Sequence, residues 1–465
     1  MNIKNRSRSI LIFLLILQVF LFSLVIFIRS RIVIDSKIVA LITDIGDIDD
    51  GGFNQSSWDA IQSYCKEKKY SCEFYRPDGE TDIEIFEQIK IAVKNGAKII
   101  ICPGFKFSSI IDEAQRIFRD VHFVLLDSET TNEVFENTFC IKYNMEISGF
   151  LAGYAVAQDL MGYDLKNGGI KDSYGYGYVG GMANSGVYPF GFGFIQGIIR
   201  GTKDFVDKNK CYAPFLTINY NYANVFSQDD NTVSRAKGWF MAENEKKIDV
   251  IFVCGGKLYQ SIVEAVTYYN GVRNVNLDND SGLRKAARWI GVDSDQRKAM
   301  TKKEEKLTCY TSALKNLDNS IRTALDYHFS NNWNMIGGKY SEDQKAWIAG
   351  LNFAFEKDIQ KENENSQKKV LLNKRNYVGI PIETKKNTNV LDGFLNFTID
   401  DYKKIENDII NSDKYKIFSG FESFGNYYFG DKDKNKGNPT FMNKNKDFID
   451  KFLDGYDKFN IIFYE

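Results

Sequence analysis

Lys37 to Trp58 reads KIVALITDIGDIDDGGFNQSSW, and the order of parts within it decides the fold. An apolar, β-branched run, KIVALIT, stops at Asp44; a stretch of Asp and Gly follows, and helix-like spacing of apolar positions runs from Phe53 to Lys68. A strand that passes through an Asp/Gly loop into a helix is the opening of a parallel α/β layer, and ligands bind in the crevice at the carboxyl ends of such strands. Asp and Gly alone suit an ordinary loop with a helix cap. Phe53-Asn54 is more specific, because it sets a flat apolar face beside an amide that both donates and accepts.

Working outward, the same alternation continues. Glu73–Arg76 reads as a strand, Asp82–Asn95 as a helix, Lys98–Pro103 as a strand, Phe107–Asp120 as a helix and Val121–Asp127 (VHFVLLD) as a strand, which completes one α/β lobe. A second series starts with a helix over Asn144–Leu160. It continues with a strand at Tyr176–Gly181, a helix near Phe192–Asp207, a strand at Ala213–Asn219 and a helix over Asn231–Lys246. Val250–Cys254, a helix over Tyr259–Asn270 and Trp289–Val292 close it. Gly162–Ser173, Asn274–Gly282 and the charged Lys357–Arg375 read as loop insertions. A chain of 465 residues exceeds one ordinary core, so two lobes and an anchor are expected.

Composition removes several function classes. Sixty basic residues balance sixty-one acidic ones, so no overall field favours nucleic acid. The two histidines, His122 and His328, have no Cys or His neighbour at ligand spacing, which argues against a histidine metal site and against Ser-His-Asp catalysis. The seven cysteines form no CxxC pair. Cys102 and Cys254 sit in strand-like runs and read as buried thiols, while a Cys65–Cys72 disulfide stays open. No metal or cofactor is expected.

Ser9 to Ile28 is uncharged, and about 20 residues in a helix cross the hydrocarbon core. No small-residue cleavage site separates Ile28 from Arg29-Ser30-Arg31, so the segment is expected to stay as a single transmembrane helix. Basic residues flank it on both sides, so the identity of the body must decide the orientation.

Further motifs keep order and spacing: VLLD ending at Asp127, SGFLAGYAVA (Ser148–Ala157), VGGM (Val179–Met182), FGFIQG (Phe192–Gly197), and Asn224-Val225-Phe226 before an AKG helix. VIFVCGG ending at Gly256, WIGVDSDQ (Trp289–Gln296) and TSALKN (Thr311–Asn316) complete the set. With the opening motif, these residues make Lys37–Tyr327 resemble the basic membrane protein family of bacterial lipoproteins, also called PnrA-like or Bmp/Med. The resemblance implies a type I periplasmic-binding-protein fold and capture of purine nucleosides for an ABC transporter permease. Carried over position by position, Phe53 and Phe226 resemble the aromatics that sandwich the base, and Asn54 and Asp127 the pair that reads its edge. Asp44, Gly256, Asp293 and Lys315 resemble positions near the ribose and the interlobe latch. The family's lipoproteins carry a Cys at the end of the signal segment, whereas here no Cys precedes Cys65.

Gly175-Tyr-Gly177-Tyr-Val-Gly180 matches a dinucleotide fingerprint in letters, but its glycines lead into a strand instead of opening a helix. A nucleoside- or dinucleotide-using enzyme would need a nucleophile–base pair or a carboxylate cluster with a metal, and these motifs assemble neither. The remaining rival is a surface or regulatory protein that kept the fold. The expectation is therefore an α/β, two-lobed, monomeric binding protein at the cell membrane, its binding domain extracytoplasmic. Residues 1–36 are the anchor, 37–145 with about 305–335 the first lobe, and 146–304 with about 336–465 the second.

Overall fold

The computed structural model describes residues 17–18, 38–44, 47–79, 81–338, 346–349, 378–411, 415, 417 and 459–464. Apart from the helical pair Leu17–Gln18, the span expected at Ser9–Ile28 lies outside them, as does Lys357–Arg375. Among the described residues no helix is long and apolar enough to cross a membrane.

In the first lobe, strands β1 (Ile38–Ile42), β2 (Ser71–Tyr75), β3 (Ala97–Pro103), β4 (His122–Leu126) and β5 (Thr138–Tyr143) alternate with helices α1 (Phe53–Lys68), α2 (Asp82–Lys94) and α3 (Phe107–Ile117). The strands lie parallel in the order β5-β4-β3-β1-β2. Helices cover both faces, which is why the central strands are apolar without alternation. Ile99 and Ile101 pack with Trp58 and Ile61 of α1, while Ile100 packs with Ile85 of α2 and Ile111 of α3. Thr81 and Glu84 close α2 with a reciprocal capping box.

The second lobe runs through α4 (Met145–Lys166), β6 (Ser173–Gly180), α5 (Tyr188–Asn209), β7 (Phe215–Tyr222), α6 (Asp230–Met241), β8 (Val250–Cys254), α7 (Tyr259–Val272), α8 (Asp280–Lys285) and β9 (Arg288–Asp293). After it come α9 (Gln296–Ala299), α10 (Lys303–Thr308), β10 (Cys309–Lys315), α11 (Leu317–Phe329), β11 (Trp347–Ala349), β12 (Val378–Gly379), α12 (Ile399–Asn411) and β13 (Phe459–Tyr464). The second sheet has the order β12-β10-β9-β8-β6-β7-β13, parallel except where β12 meets β10. β11 joins the first sheet beside β5. The chain thus passes between lobes after β5, after β10 and again between β11 and β12.

The boundaries expected near residues 305 and 336 are corrected by this topology. β10 belongs to the second sheet, whereas α11 packs on the first lobe, where Tyr64 of α1 donates to Asp326 at 2.9 Å and Arg322 meets Glu67 at 2.8 Å. The segment after 336 divides as well, β11 going to the first sheet and β12 and β13 to the second. A strand's sheet depends on its pairing partner, which no local pattern encodes.

Three element assignments also change. Gly162–Ser173 is not wholly a loop: α4 continues to Lys166 because Asp164, a polar residue by composition, turns inward to pair with Arg284. The helix expected over Asn231–Lys246 ends at Met241, and a single 3-10 turn, Asn244–Lys246, follows. α5 begins earlier, at Tyr188, with Pro189 in its first turn. Helices α4 and α5 approach closely through Gly149 and Gly153 on one and Gly193 and Gly197 on the other, since a Cβ at any of them would overlap the partner's backbone. That contact explains the glycines of SGFLAG and FGFIQG.

Candidate functional site between the lobes

β1 ends at Ile42, and the chain then crosses toward the second lobe before entering α1. Asp50 organises this crossing. Its Oδ1 accepts from the N–H groups of Gly52 (2.8 Å) and Gln55 (3.1 Å), and its Oδ2 from the backbone N–H of Asn54 (3.1 Å), so one carboxylate satisfies first-turn donors that have no helical partner. Asn54 is held in turn. Its amide donates to Asp44 at 3.0 Å and to Asp50 at 3.1 Å, which spends both protons, and its Oδ1 is buried with no hydrogen-bond partner among the described residues. The sequence suggested that Asn54 would offer both polarities; its surroundings leave it an acceptor.

Asp127 follows β4 in a left-handed conformation (φ 59°), and Asp293 ends β9 in another (φ 66°). Such backbone bends cost a non-glycine residue energy, and here they turn two carboxylates onto one cation. Lys315, at the end of β10, donates to Asp127 at 2.7 Å and lies 3.4 Å from Asp293. Its Nζ also sits 4.9 Å from the centre of the Phe53 ring and 5.1 Å from that of Phe190. Burial pushes the Asp127 and Asp293 carboxyls above the usual range, and Lys315 offsets only part of that push. Burial works against the charge on Lys315 too, yet Asp127 and Asp293 together hold its pKa above the ordinary lysine value.

On the second lobe, Phe226 rests in a slot made by glycines. A Cβ on Gly181 would come within 2.6 Å of its ring, one on Gly255 within 3.0 Å, and one on Gly256 within 2.8 Å of its carbonyl oxygen. Gly255 (φ 152°) and Gly256 (φ 44°) also adopt backbone angles that favour glycine. The VGGM and VIFVCGG motifs therefore make room for an aromatic ring at the strand ends.

Contacts also bridge the two lobes beside the cleft. Gln296 donates to the Gly51 carbonyl at 2.9 Å while its own Oε1 accepts from Val292, and Lys257 meets Asp49 at 2.8 Å. The cavity between the lobes measures about 540 Å³, within the range of about 300–1,000 Å³ usual for small-molecule sites. Asp44, Phe53, Asn54, Asp127, Phe226, Gly256, Asp293 and Lys315 all lie on its wall. Sequence reasoning gave no site role to Asp50, Phe105, Asn184, Arg76 or Lys257, nor to Asn224 of the quoted motif, and all of them line it as well. Asp50 had a local signal, an acid four residues before the Asn it holds; Arg76 reaches the wall from the end of β2 beside Asp47, and Lys257 from the second lobe, where it meets Asp49 of the first. Six aspartates (Asp44, Asp47, Asp49, Asp50, Asp127 and Asp293) face three cations (Arg76, Lys257 and Lys315). Among the described residues no cluster of three His, Cys, Asp or Glu side chains is placed to hold a metal. The glycines of the 175–180 fingerprint lie within β6, where Gly177 packs against Trp239, and they open no helix.

Two α/β lobes joined by chain crossings, with a solute-sized cavity between them, define a two-lobed binding protein. A family model described as ABC transporter substrate-binding protein PnrA-like matches residues 37–383, and the chain belongs to that family of non-enzymatic, extracytoplasmic proteins. Relatives include the CD4+ T-cell-stimulating antigen of Listeria monocytogenes serovar 1/2a, 23% identical over 56% of this chain and 63% of its own length. The ABC transporter nucleoside-binding protein BmpA of Lactococcus lactis subsp. cremoris is 23% identical over 55% of this chain and 64% of its own. The chain therefore spans just under two thirds of these relatives. Among solved structures, a solute-binding protein of an ABC transporter system from Aeropyrum pernix K1 is 16% identical over 65% of this chain and 72% of that one, with a TM-score of 0.49. A transcriptional activator of the comK gene from Bacillus halodurans is 16% identical over 65% and 84%, with a TM-score of 0.45.

Proposed function

We propose that the cavity captures a purine nucleoside, and that the closed monomer presents it to an ABC transporter permease from outside the membrane, tethered by its apolar N-terminal segment. The observation that carries this reading is that Phe53 from the first lobe and Phe226 from the second both line the one cavity. A purine has two π-faces, and stacking on an aromatic is worth about 1–3 kcal/mol per base, so a ring on each lobe makes closure favourable. The polar wall between them suits the rest of a nucleoside. Asp44, Asp127, Asp293 and the Asn54 oxygen are acceptors, matching a ligand whose ring N–H and ribose hydroxyls donate. Six aspartates against three cations disfavour a phosphate, which separates nucleosides from nucleotides. The printed name of the Lactococcus relative points to the same ligand class.

Calorimetric titration with adenosine, inosine, guanosine, uridine and AMP tests the reading. Purine nucleosides should bind more tightly than uridine, and AMP should bind more weakly than adenosine. Phe226→Ala should weaken all purine nucleosides by about 1–3 kcal/mol with little change in preference. Asp127→Asn should shift preference away from ligands with a protonated ring nitrogen. A wild-type preference for a sugar, a peptide or a pyrimidine would sink the proposal, as would unchanged purine affinity in Phe226→Ala.

A further inference from the structure

We propose that Cys65 and Cys72 are a dithiol that closes to a disulfide by thiol–disulfide exchange, tying the last turn of α1 to the edge strand β2. The geometry comes from a tight reversal. α1 ends at Lys68, Lys69 takes a left-handed conformation (φ 58°), and the N–H of Tyr70 bonds back to the Cys65 carbonyl at 2.8 Å. β2 starts one residue later, in register with β1 so that Cys72 lies opposite Val39. The chain has doubled back, and Cys72 packs against the same hydrophobic cluster that buries Cys65. The Cys65 sulfur is also 3.7 Å from the Ser71 carbonyl oxygen. Cys102, Cys140, Cys254 and Cys309 are buried in β3, β5, β8 and β10.

The two sulfurs differ in a way that orders the chemistry. Cys65 is buried against the core, and burial pushes its thiol up to about 12. Cys72 is half-buried on an edge strand, where a disulfide-bearing oxidant can reach it. Its thiolate attacks that oxidant, RSSR, forms the mixed disulfide Cys72–S–S–R and releases RS⁻. Cys65, having given its proton to solvent, attacks the Cys72 sulfur and expels the second RS⁻. The balance is two thiols and one RSSR giving one protein disulfide and two RSH. An extracytoplasmic protein meets such oxidants, so the closed form is the one favoured there. The ring anchors the foot of the helix whose first turn carries Phe53 and Asn54, and it makes that helix sensitive to reducing conditions.

The test uses the full chain, incubated with glutathione disulfide, unfolded in iodoacetamide and mapped by mass spectrometry. The peptide bearing Cys65 and Cys72 should be unalkylated and two hydrogens lighter, the remaining cysteines alkylated, and dithiothreitol should reverse the change. Cys72→Ser should leave Cys65 a free, alkylated thiol, and Cys65→Ser should trap glutathione on Cys72. The wild-type map decides the matter even if either variant folds poorly. Alkylation of both thiols after oxidation, a lasting glutathione adduct on wild-type Cys72, or a bridge from either residue to Cys211 would overturn the proposal.

Discussion

Asp127 and Asp293 share Lys315 at the carboxyl ends of their strands, while Asp164 and Asp249 share Arg284 at the amino ends of the second lobe's strands. Both groups set two buried carboxylates around one cation, yet they end in different electrostatic states. The Arg284 fork makes two parallel bonds to Asp164, at 2.8 and 2.6 Å, and Tyr174 adds a third at 2.9 Å. Burial raises Asp249, but Arg284, Lys171 and Lys247 together bring its carboxyl below the usual range. In the cleft, a single ammonium at 2.7 and 3.4 Å leaves both carboxyls above that range. A planar guanidinium grips one carboxylate with two parallel bonds, as Arg284 does Asp164, whereas a compact ammonium is a point charge that leaves acceptor sites open. One cluster lies away from the cavity and serves the fold; the other lines the cavity and keeps acceptors for a guest.

The largest effect should come from Arg284→Met. It strands Asp164 and Asp249 in the interior and should lower stability by about 3–5 kcal/mol in chemical denaturation. Ligand affinity of the folded protein should be little changed. A stability loss under about 1 kcal/mol would break the comparison, because the cluster would then not be structural.

Next in size is the pH dependence of Glu146, a buried carboxyl near the cleft whose pKa is lifted to about 7 by burial and by the neighbouring Asp127. The native state holds this proton to higher pH than the unfolded chain does. Its stabilisation is therefore present below the ordinary glutamate pKa and is lost as pH rises through about 7, up to about 3 kcal/mol in all. The histidine pair acts in the opposite sense: burial draws His122 to about 3 and His328 to about 4, which costs stability as pH falls below the ordinary histidine range. Subtracting the Glu146→Gln stability profile from the wild-type one isolates the glutamate, and a flat difference between pH 5 and 8 would refute the assignment.

The smallest of the three stability effects is expected for Lys315→Met. The carboxylates it leaves behind face a cavity that water can enter and can themselves take up protons, so the loss should be about 1–3 kcal/mol. Ligand affinity should fall further than in Arg284→Met. If Lys315→Met destabilises as much as Arg284→Met and leaves ligand binding intact, the division of labour between the clusters is wrong.

How much of this was legible varied with the range of the interaction. The strand-to-helix turn at 44–54 was readable, because the end of an apolar run and an aromatic-Asn pair are local signals. β5 and β10 were not read as strands, although TSALKN was recognised as a motif, because each is identified by its neighbour in the sheet. His122 and His328 looked unrelated in sequence. They meet with Nδ1 atoms 2.7 Å apart, and His122 stacks on Trp333 at 4.0 Å, because α11 returns to the first lobe beside β4.

Sequence by itself determined the alternation of strands and helices, the division into two α/β lobes, and the residue types that now line one cavity, since all of these follow from short-range periodicity and turn chemistry. Tertiary structure alone decided which sheet takes β10 and β11, that the Asn54 amide protons go to Asp44 and Asp50, and that Lys315 lies between two aspartates from different lobes. The physical reason is that a side chain's hydrogen-bonding polarity and charge depend on partners the chain brings from far away, and burial magnifies the energy of each such pairing.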